Sequence, residues 1–146
     1  MPTLTNDMKR EIILEHYSTP DNKKTPDDKT KYKAIRMDSD SCIDDITIYL
    51  DIKNGIIKDA VFDGVACAIS TSSTDILCEM IKGKSEKEAL YIIEQYENML
   101  HEKPYDEEVL EELNAFSETY KQAARIKCAS LGAQGISKII NGEEDE

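Results

Sequence analysis

Nowhere in the 146 residues is there an apolar run approaching the roughly 20 that a membrane-spanning helix needs, so no membrane partner is expected. Basic charge is also scarce. Lys and Arg number 18 against 30 Asp and Glu, for a formal net charge of -12, which disfavours attraction to nucleic acid or anionic lipid and leaves recognition to local patches. The N-terminal stretch "MPTLTNDMKREIILEHY" is charged throughout its first helical pattern, unlike a secretory signal, and a cytoplasmic location is the expectation. Only two histidines are present, His16 and His101, so a nucleophile paired with imidazole is unsupported and each reads as structural or solvated. No C-x-x-C pair exists, and "GVACAIS" has neither the glycine spacing nor the following lysine of a phosphate loop. The hydroxyls of "ISTSSTDI" read as caps and close-packing surface rather than as a nucleophile.

What is there suffices for one core. With 40% hydrophobic residues the chain reads as a single domain over 1–146, with a flexible acidic tail at about 141–146. Met8 to Tyr17 has the pattern of a short amphipathic helix, ended by "STPDNKKTPDDK", after which a loop is expected. From Asp45 to Lys53 the chain alternates, with Ile46, Ile48, Leu50 and Ile52 on one face: a half-buried strand. Asn54-Gly55 signals a tight hairpin and "IIKDAVF" the return strand, with its register open between Asp59 and Lys58 opposite Leu50. After Cys67 the period becomes helical, with Ile69, Ser73, Ile76, Leu77 and Met80 on one side and Gly83 as the stop. Ser85 and Glu88 form a capping box for the next helix, interrupted by "HEKPYDEE". An acidic helical stretch from Asp106 to about Tyr120, with Glu107 to Glu112 as an exposed face, precedes a last segment from Ala123 to Ile140. The order predicts an α+β domain, a small antiparallel β-sheet with helices packed on one face.

Four cysteines remain to be explained: Cys42, Cys67, Cys78 and Cys128. Cytosolic reductants disfavour structural disulfides, which leaves metal binding, reactivity or plain burial. Cys42 leads into the first clear strand and Cys67 follows the returning one, so the hairpin brings both to one end of the sheet. Asp44, two residues after Cys42, shares its face if that stretch is extended. Thiolates with a carboxylate suit four-coordinate zinc, although by spacing alone the plainer reading is small buried hydrophobes. Cys67 and Cys128 both fall at predicted helix starts, where free N–H groups stabilise a thiolate, and Arg125 and Lys127 beside Cys128 would offset surplus negative charge. Cys78 lies mid-helix without a polar partner and reads as a spare thiol.

Taken together, "EHYSTPDNKK", "SCIDD", "FDGVACAIS" and "ARIKCASL" resemble the SufU branch of the SufU/IscU (NifU N-terminal-like) family of iron-sulfur cluster assembly proteins, over nearly the whole chain. The resemblance implies zinc bound by Cys42, Asp44, Cys67 and Cys128, with Cys42 accepting persulfide sulfur from a SufS-like cysteine desulfurase and passing it to downstream cluster assembly proteins. Arg125 would give electrostatic support. Zinc keeps such a thiol deprotonated and blunts its attack, so transfer requires its release or exchange. The alternatives are an IscU-type scaffold holding iron or a transient iron-sulfur cluster, and a diverged zinc-stabilised interaction module. Lys127 stands where a scaffold has His before Cys128, and the long segment from Gly83 to Tyr120 also favours the acceptor. The chain departs from the family pattern at Ile43, Ala66 and Ala133.

Overall fold

A computed structural model describes residues 3–39 and 43–143. Helix α1 (Asn6–Ser18) leads into strands β1 (Lys33–Asp38), β2 (Asp45–Lys53) and β3 (Ile56–Val65), followed by α2 (Ala68–Ile81), α3 (Glu86–Leu100), the short α4 (Glu107–Leu110) and α5 (Ala123–Ile140). The sheet is antiparallel in the order β1-β2-β3. Strand β1 is an addition to the expected loop. Its "KAIRMD" carries only Ile35 and Met37 as core residues, opposite Ile48 and Ile46 of β2, among charged neighbours that mask the alternation.

The hairpin resolves its register in a way neither option anticipated. Asn54 and Gly55, at φ 54 and 74, form the two-residue turn, and Ile52 pairs with Ile57. A bulge then leaves Lys58 unpaired, so Asp51 faces Asp59 and the small, fully buried Ala60 lies opposite Leu50. No charged side chain has to stand opposite Leu50. The extra residue puts Ile57, Ala60 and Phe62 all on the buried face with Ile46, Ile48 and Leu50.

Helices α2 and α5 lie on that face, and α3 completes the core with Ala89, Ile92, Tyr96 and Leu100. Its capping box is formed by Ser85 and Glu88 as expected. Because α1 covers one side of α2 while β3 and α5 cover others, every residue from Ser70 to Cys78 is buried. That encirclement is why Cys78, off the expected stripe, has no exposed surface, and why burial pushes its thiol pKa up. The acidic stretch is less helical than its composition suggests: α4 is a single turn, continued by 3-10 turns at Glu111–Phe116 and Thr119–Lys121. Glu107, Glu108 and Glu111 are exposed, whereas Glu112 is half-buried and faces α1.

Its partner is His16. The imidazole Nδ1 lies 2.6 Å from Asp75 Oδ2 and Nε2 lies 3.2 Å from Glu112 Oε1. Two carboxylate acceptors call for two N–H donors, which only the imidazolium supplies. Asp75, buried at 1% exposure, also receives the Asn22 backbone N–H at 2.9 Å and its side-chain amide at 3.1 Å. Asn22 in turn meets Glu79 and Lys82, and its carbonyl accepts from Phe62 N at 3.0 Å, so the segment after α1 covers the free edge of β3.

Burial lowers the His16 pKa, but the bond to Asp75 and the charges of Glu112 and Asp75 outweigh it, and the value stands above the ordinary 6.5. The stabilisation is therefore fully present below the unfolded-state value and is lost as pH rises through the folded-state value. Urea midpoints measured from about pH 6 to about pH 9 should fall through this component in the wild type. A His16→Gln variant should lack it, and an identical pH profile in the two proteins would refute the assignment.

Candidate metal centre

The β2–β3 ladder ends at the pair Asp45 and Val65, and the chain on either side of it brings Asp44 beside Cys67. Asp44 is fixed from behind, because its carbonyl accepts from Ser39 N at 3.0 Å and carries the β1–β2 pairing one step past Asp38 and Asp45. Gly64 permits the approach. It has φ +129, and a Cβ there would stand 2.2 Å from the Asp45 carbonyl oxygen. Cys67 is the N-cap of α2, with φ -69 and ψ 171, and its Sγ accepts from Ser70 N at 3.5 Å. Its own backbone N–H donates to Asp44 Oδ1 at 2.8 Å. The carboxylate, 1% exposed, thus lies against the start of a helix, where unpaired N–H groups favour negative charge.

Cys128 arrives from α5 through helix packing. A Cβ on Gly132 would lie 2.3 Å from Thr74 Oγ1, so glycine lets α5 approach α2 backbone-to-side-chain. One turn earlier on both helices, the Cys128 carbonyl lies 3.0 Å from Ser70 Oγ. Both contacts step in the same direction, so the two helices run parallel and their N-terminal halves flank one site. Tyr96 of α3 holds α5 in place by donating its hydroxyl to the Ala129 carbonyl at 2.9 Å.

The result is a cluster of Asp44, Cys67 and Cys128 whose donor atoms all lie within 4.8 Å of one another, with Cys67 Sγ 3.9 Å from Asp44 Oδ2. Donors held about 2.0 to 2.3 Å from one ion stand roughly 3.3 to 3.8 Å apart in a tetrahedron, so a contraction of a few tenths of an ångström to about one ångström would close the set on zinc. The donor chemistry fits as well, since two thiols and a carboxylate are the ligand types zinc takes. Cys42, the fourth residue of the expected set, lies outside the described residues.

Two expectations change. Helix α5 starts at Ala123 as expected, which makes Cys128 its sixth residue and places it beyond the first turn with its free N–H groups. Its Sγ instead lies 3.8 Å from the Ala124 carbonyl. Cys67 alone has the helix-start position. Arg125 and Lys127 are both exposed on α5. Ser70, read only as part of a cap and packing surface, turns out to touch every described member of the cluster. Its position three after Cys67, within the N-cap's reach, was the available signal. His101 is 51% exposed beside Glu97 and plays no part in the site. Around the cluster, Ile43 and Val65 are large hydrophobic residues left mostly exposed.

No helix among the described residues is long and apolar enough to cross a membrane. Among known proteins, the chain is 32% identical over 136 residues to the zinc-dependent sulfurtransferase SufU of Bacillus subtilis (strain 168), covering 92% of this chain and 90% of the relative. It is 33% identical over 133 residues to the iron-sulfur cluster assembly scaffold protein IscU of Thermotoga maritima, covering 91% and 92%. Among solved structures, one described as a cluster assembly scaffold for the SUF system from Fervidobacterium islandicum AW-1 superposes with a TM-score of 0.79 at 30% identity, covering 86% of this chain and 91% of that one. The N-terminal NifU-like protein of Brucella abortus shares the fold at a TM-score of 0.79 and 19% identity. Residues 8–140 match the family described as NifU-like N terminal domain. This chain, with its three-stranded sheet and its Asp44, Cys67 and Cys128 gathered at one end, belongs to that family of SufU- and IscU-like proteins.

Proposed function

We propose that the chain serves iron-sulfur cluster assembly as a zinc-binding sulfur acceptor, with Cys42, Asp44, Cys67 and Cys128 as the metal ligands and a cysteine desulfurase as the sulfur donor. The observation that carries this reading is the convergence of Asp44, Cys67 and Cys128 within 4.8 Å. The Bacillus subtilis relative, a zinc-dependent sulfurtransferase by name, supports the same role. Bound zinc would keep the coordinating thiols deprotonated at neutral pH.

The protein's own residues then have distinct tasks. Cys42 is the acceptor: its thiolate attacks the outer sulfur of the desulfurase persulfide, a new sulfur–sulfur bond forms on Cys42, and the old one breaks to release the desulfurase cysteine as thiolate. Asp44 lies buried with Oδ1 held by the Cys67 N–H, and as the one oxygen ligand of the set it is the one most readily exchanged. Arg125 and Lys127, exposed on α5, offset part of the surplus negative charge that three thiolates and a carboxylate leave around one divalent ion.

A scaffold role is the second reading, favoured by the 33% identity to the Thermotoga maritima relative named as a scaffold. Lys127 before Cys128 and the long segment between Gly83 and Tyr120 argue for the acceptor. The test is incubation with a desulfurase and cysteine, followed by mass spectrometry of the intact chain under non-reducing conditions. A gain of one sulfur, absent in Cys42→Ala while that variant stays folded, is the expected result. Sulfur uptake unaffected by Cys42→Ala would remove Cys42 from the role, and a stable cluster formed with no persulfide would favour the scaffold.

A further inference from the structure

We propose that Ser70 is a positioning residue for Asp44, holding its second carboxylate oxygen toward the two thiols; this rests on the metal-site reading above. Ser70 is the third residue of α2 and has no exposed surface. Its hydroxyl donates to Asp44 Oδ2 in a short hydrogen bond, stands 3.0 Å from the Cys128 carbonyl oxygen, and lies 3.6 Å from Cys67 Sγ. Its backbone N–H meets the same sulfur at 3.5 Å. One residue therefore touches all three described members of the cluster.

The geometry divides the carboxylate into two ends. Oδ1 is held by the Cys67 N–H at 2.8 Å, and Oδ2 faces both the Ser70 hydroxyl and Cys67 Sγ. The terminal torsion of an aspartate is soft, and the Ser70 hydroxyl restrains it from the Oδ2 end. It holds Oδ2 on the cysteine side, the orientation in which an oxygen can share an ion with Cys67 and Cys128.

A serine hydroxyl has only one hydrogen to give, and here it has two oxygen acceptors. Given to Asp44, it orders the carboxylate. If Asp44 turns away, the same hydrogen can pass to the Cys128 carbonyl at 3.0 Å, so the buried hydroxyl is never left without a partner. Ser70 thus favours the engaged position of Asp44 without making its departure prohibitive, as an exchangeable oxygen ligand requires.

The test is a double-mutant cycle read through metal affinity. Zinc affinity is measured by chelator competition, and the visible spectrum of the cobalt-substituted chain is recorded, for wild type, Ser70→Ala, Ser70→Thr, Asp44→Ala and the double variant Asp44→Ala with Ser70→Ala. Ser70→Ala should weaken zinc binding by about tenfold to a hundredfold, the range for removing a hydrogen-bond partner of a metal ligand. Its cobalt spectrum should move toward that of Asp44→Ala, while Ser70→Thr, which keeps a hydroxyl, should retain wild-type affinity. In the Asp44→Ala background, Ser70→Ala should change nothing further. An equal loss in both backgrounds, or none in either, would overturn the proposal. So would a folded Ser70→Thr that loses affinity, the decisive measurement should the alanine variant fail to fold. Zinc uptake by wild type with unchanged Ser70→Ala affinity defeats this role alone, whereas no uptake by wild type defeats the metal-site reading with it.

Discussion

Purified under reducing conditions, the wild-type chain should carry about one zinc per molecule, and Cys67→Ser and Cys128→Ser should each lower affinity by at least about a thousandfold. The magnitude follows from the ligand count: each substitution replaces one of the two thiols in the described cluster by a hydroxyl that stays protonated and binds zinc poorly. Because the site exists only in the folded chain, the ion is also a source of stability. At a free zinc concentration about a thousand times the dissociation constant, the linkage amounts to about 4 kcal/mol, or about 10 °C in melting temperature for a chain of this size. Chelation should lower the wild-type melting temperature by about that much and leave the two serine variants almost unchanged. Cys78→Ala is the control: its thiol is fully buried in the core away from the cluster, so it should cost some stability yet keep the full zinc content. Stoichiometric zinc in Cys67→Ser would disprove the site.

Gly64→Ala should be the most damaging single methyl that can be added near the site, at about 3 to 5 kcal/mol. Two costs combine. The backbone at φ +129 is open to glycine and strained for any residue with a Cβ. The added carbon would also meet the Asp45 carbonyl oxygen at 2.2 Å and the Ile46 Cα at 2.9 Å, both backbone atoms that can yield only if the ladder opens. That ladder holds Asp45 opposite Val65, one residue from Asp44 and two from Cys67. Denaturant unfolding of the variant should show the loss directly, and the zinc content of the folded fraction should fall with it. A variant within about 1 kcal/mol of wild type would mean that this stretch of the hairpin is not as close-packed as described.

Much of this arrangement was readable from local pattern. The alternation from Asp45 to Lys53, the Asn54-Gly55 turn, the capping box at Ser85 and the ends of α5 each announce themselves within a few residues, because a strand face, a turn or a cap is a local device. What escaped depends on tertiary context. Strand β1 has two core residues in six and takes its identity from pairing with β2. The bulge at Lys58 exists because packing Ala60 against Leu50 is better than packing a charge there, a choice made by the core. At the site, the hairpin makes the meeting of Cys67 with the stretch before β2 legible, and the family motifs pick out Asp44 within that stretch. Ser70 could be read only as a cap, since its link to the Cys128 carbonyl spans 58 residues. The pairing of His16 with Asp75 spans 59 residues and left no mark in either neighbourhood.

The origin of the cluster in two distant parts of the chain has a consequence for how the molecule assembles. Asp44 and Cys67 are brought together by one hairpin, whose closure is local and correspondingly fast. Cys128 joins only when α5 docks beside α2 at Gly132 and Thr74, a contact of high sequence separation whose loop-closure entropy is paid late. Two of the three described members of the site therefore belong to an early folding unit and the third to a late one. A metal ion engaging all of these side chains would tie the last helix to the β2–β3 hairpin, and its main kinetic effect would be to slow unfolding rather than to hasten folding.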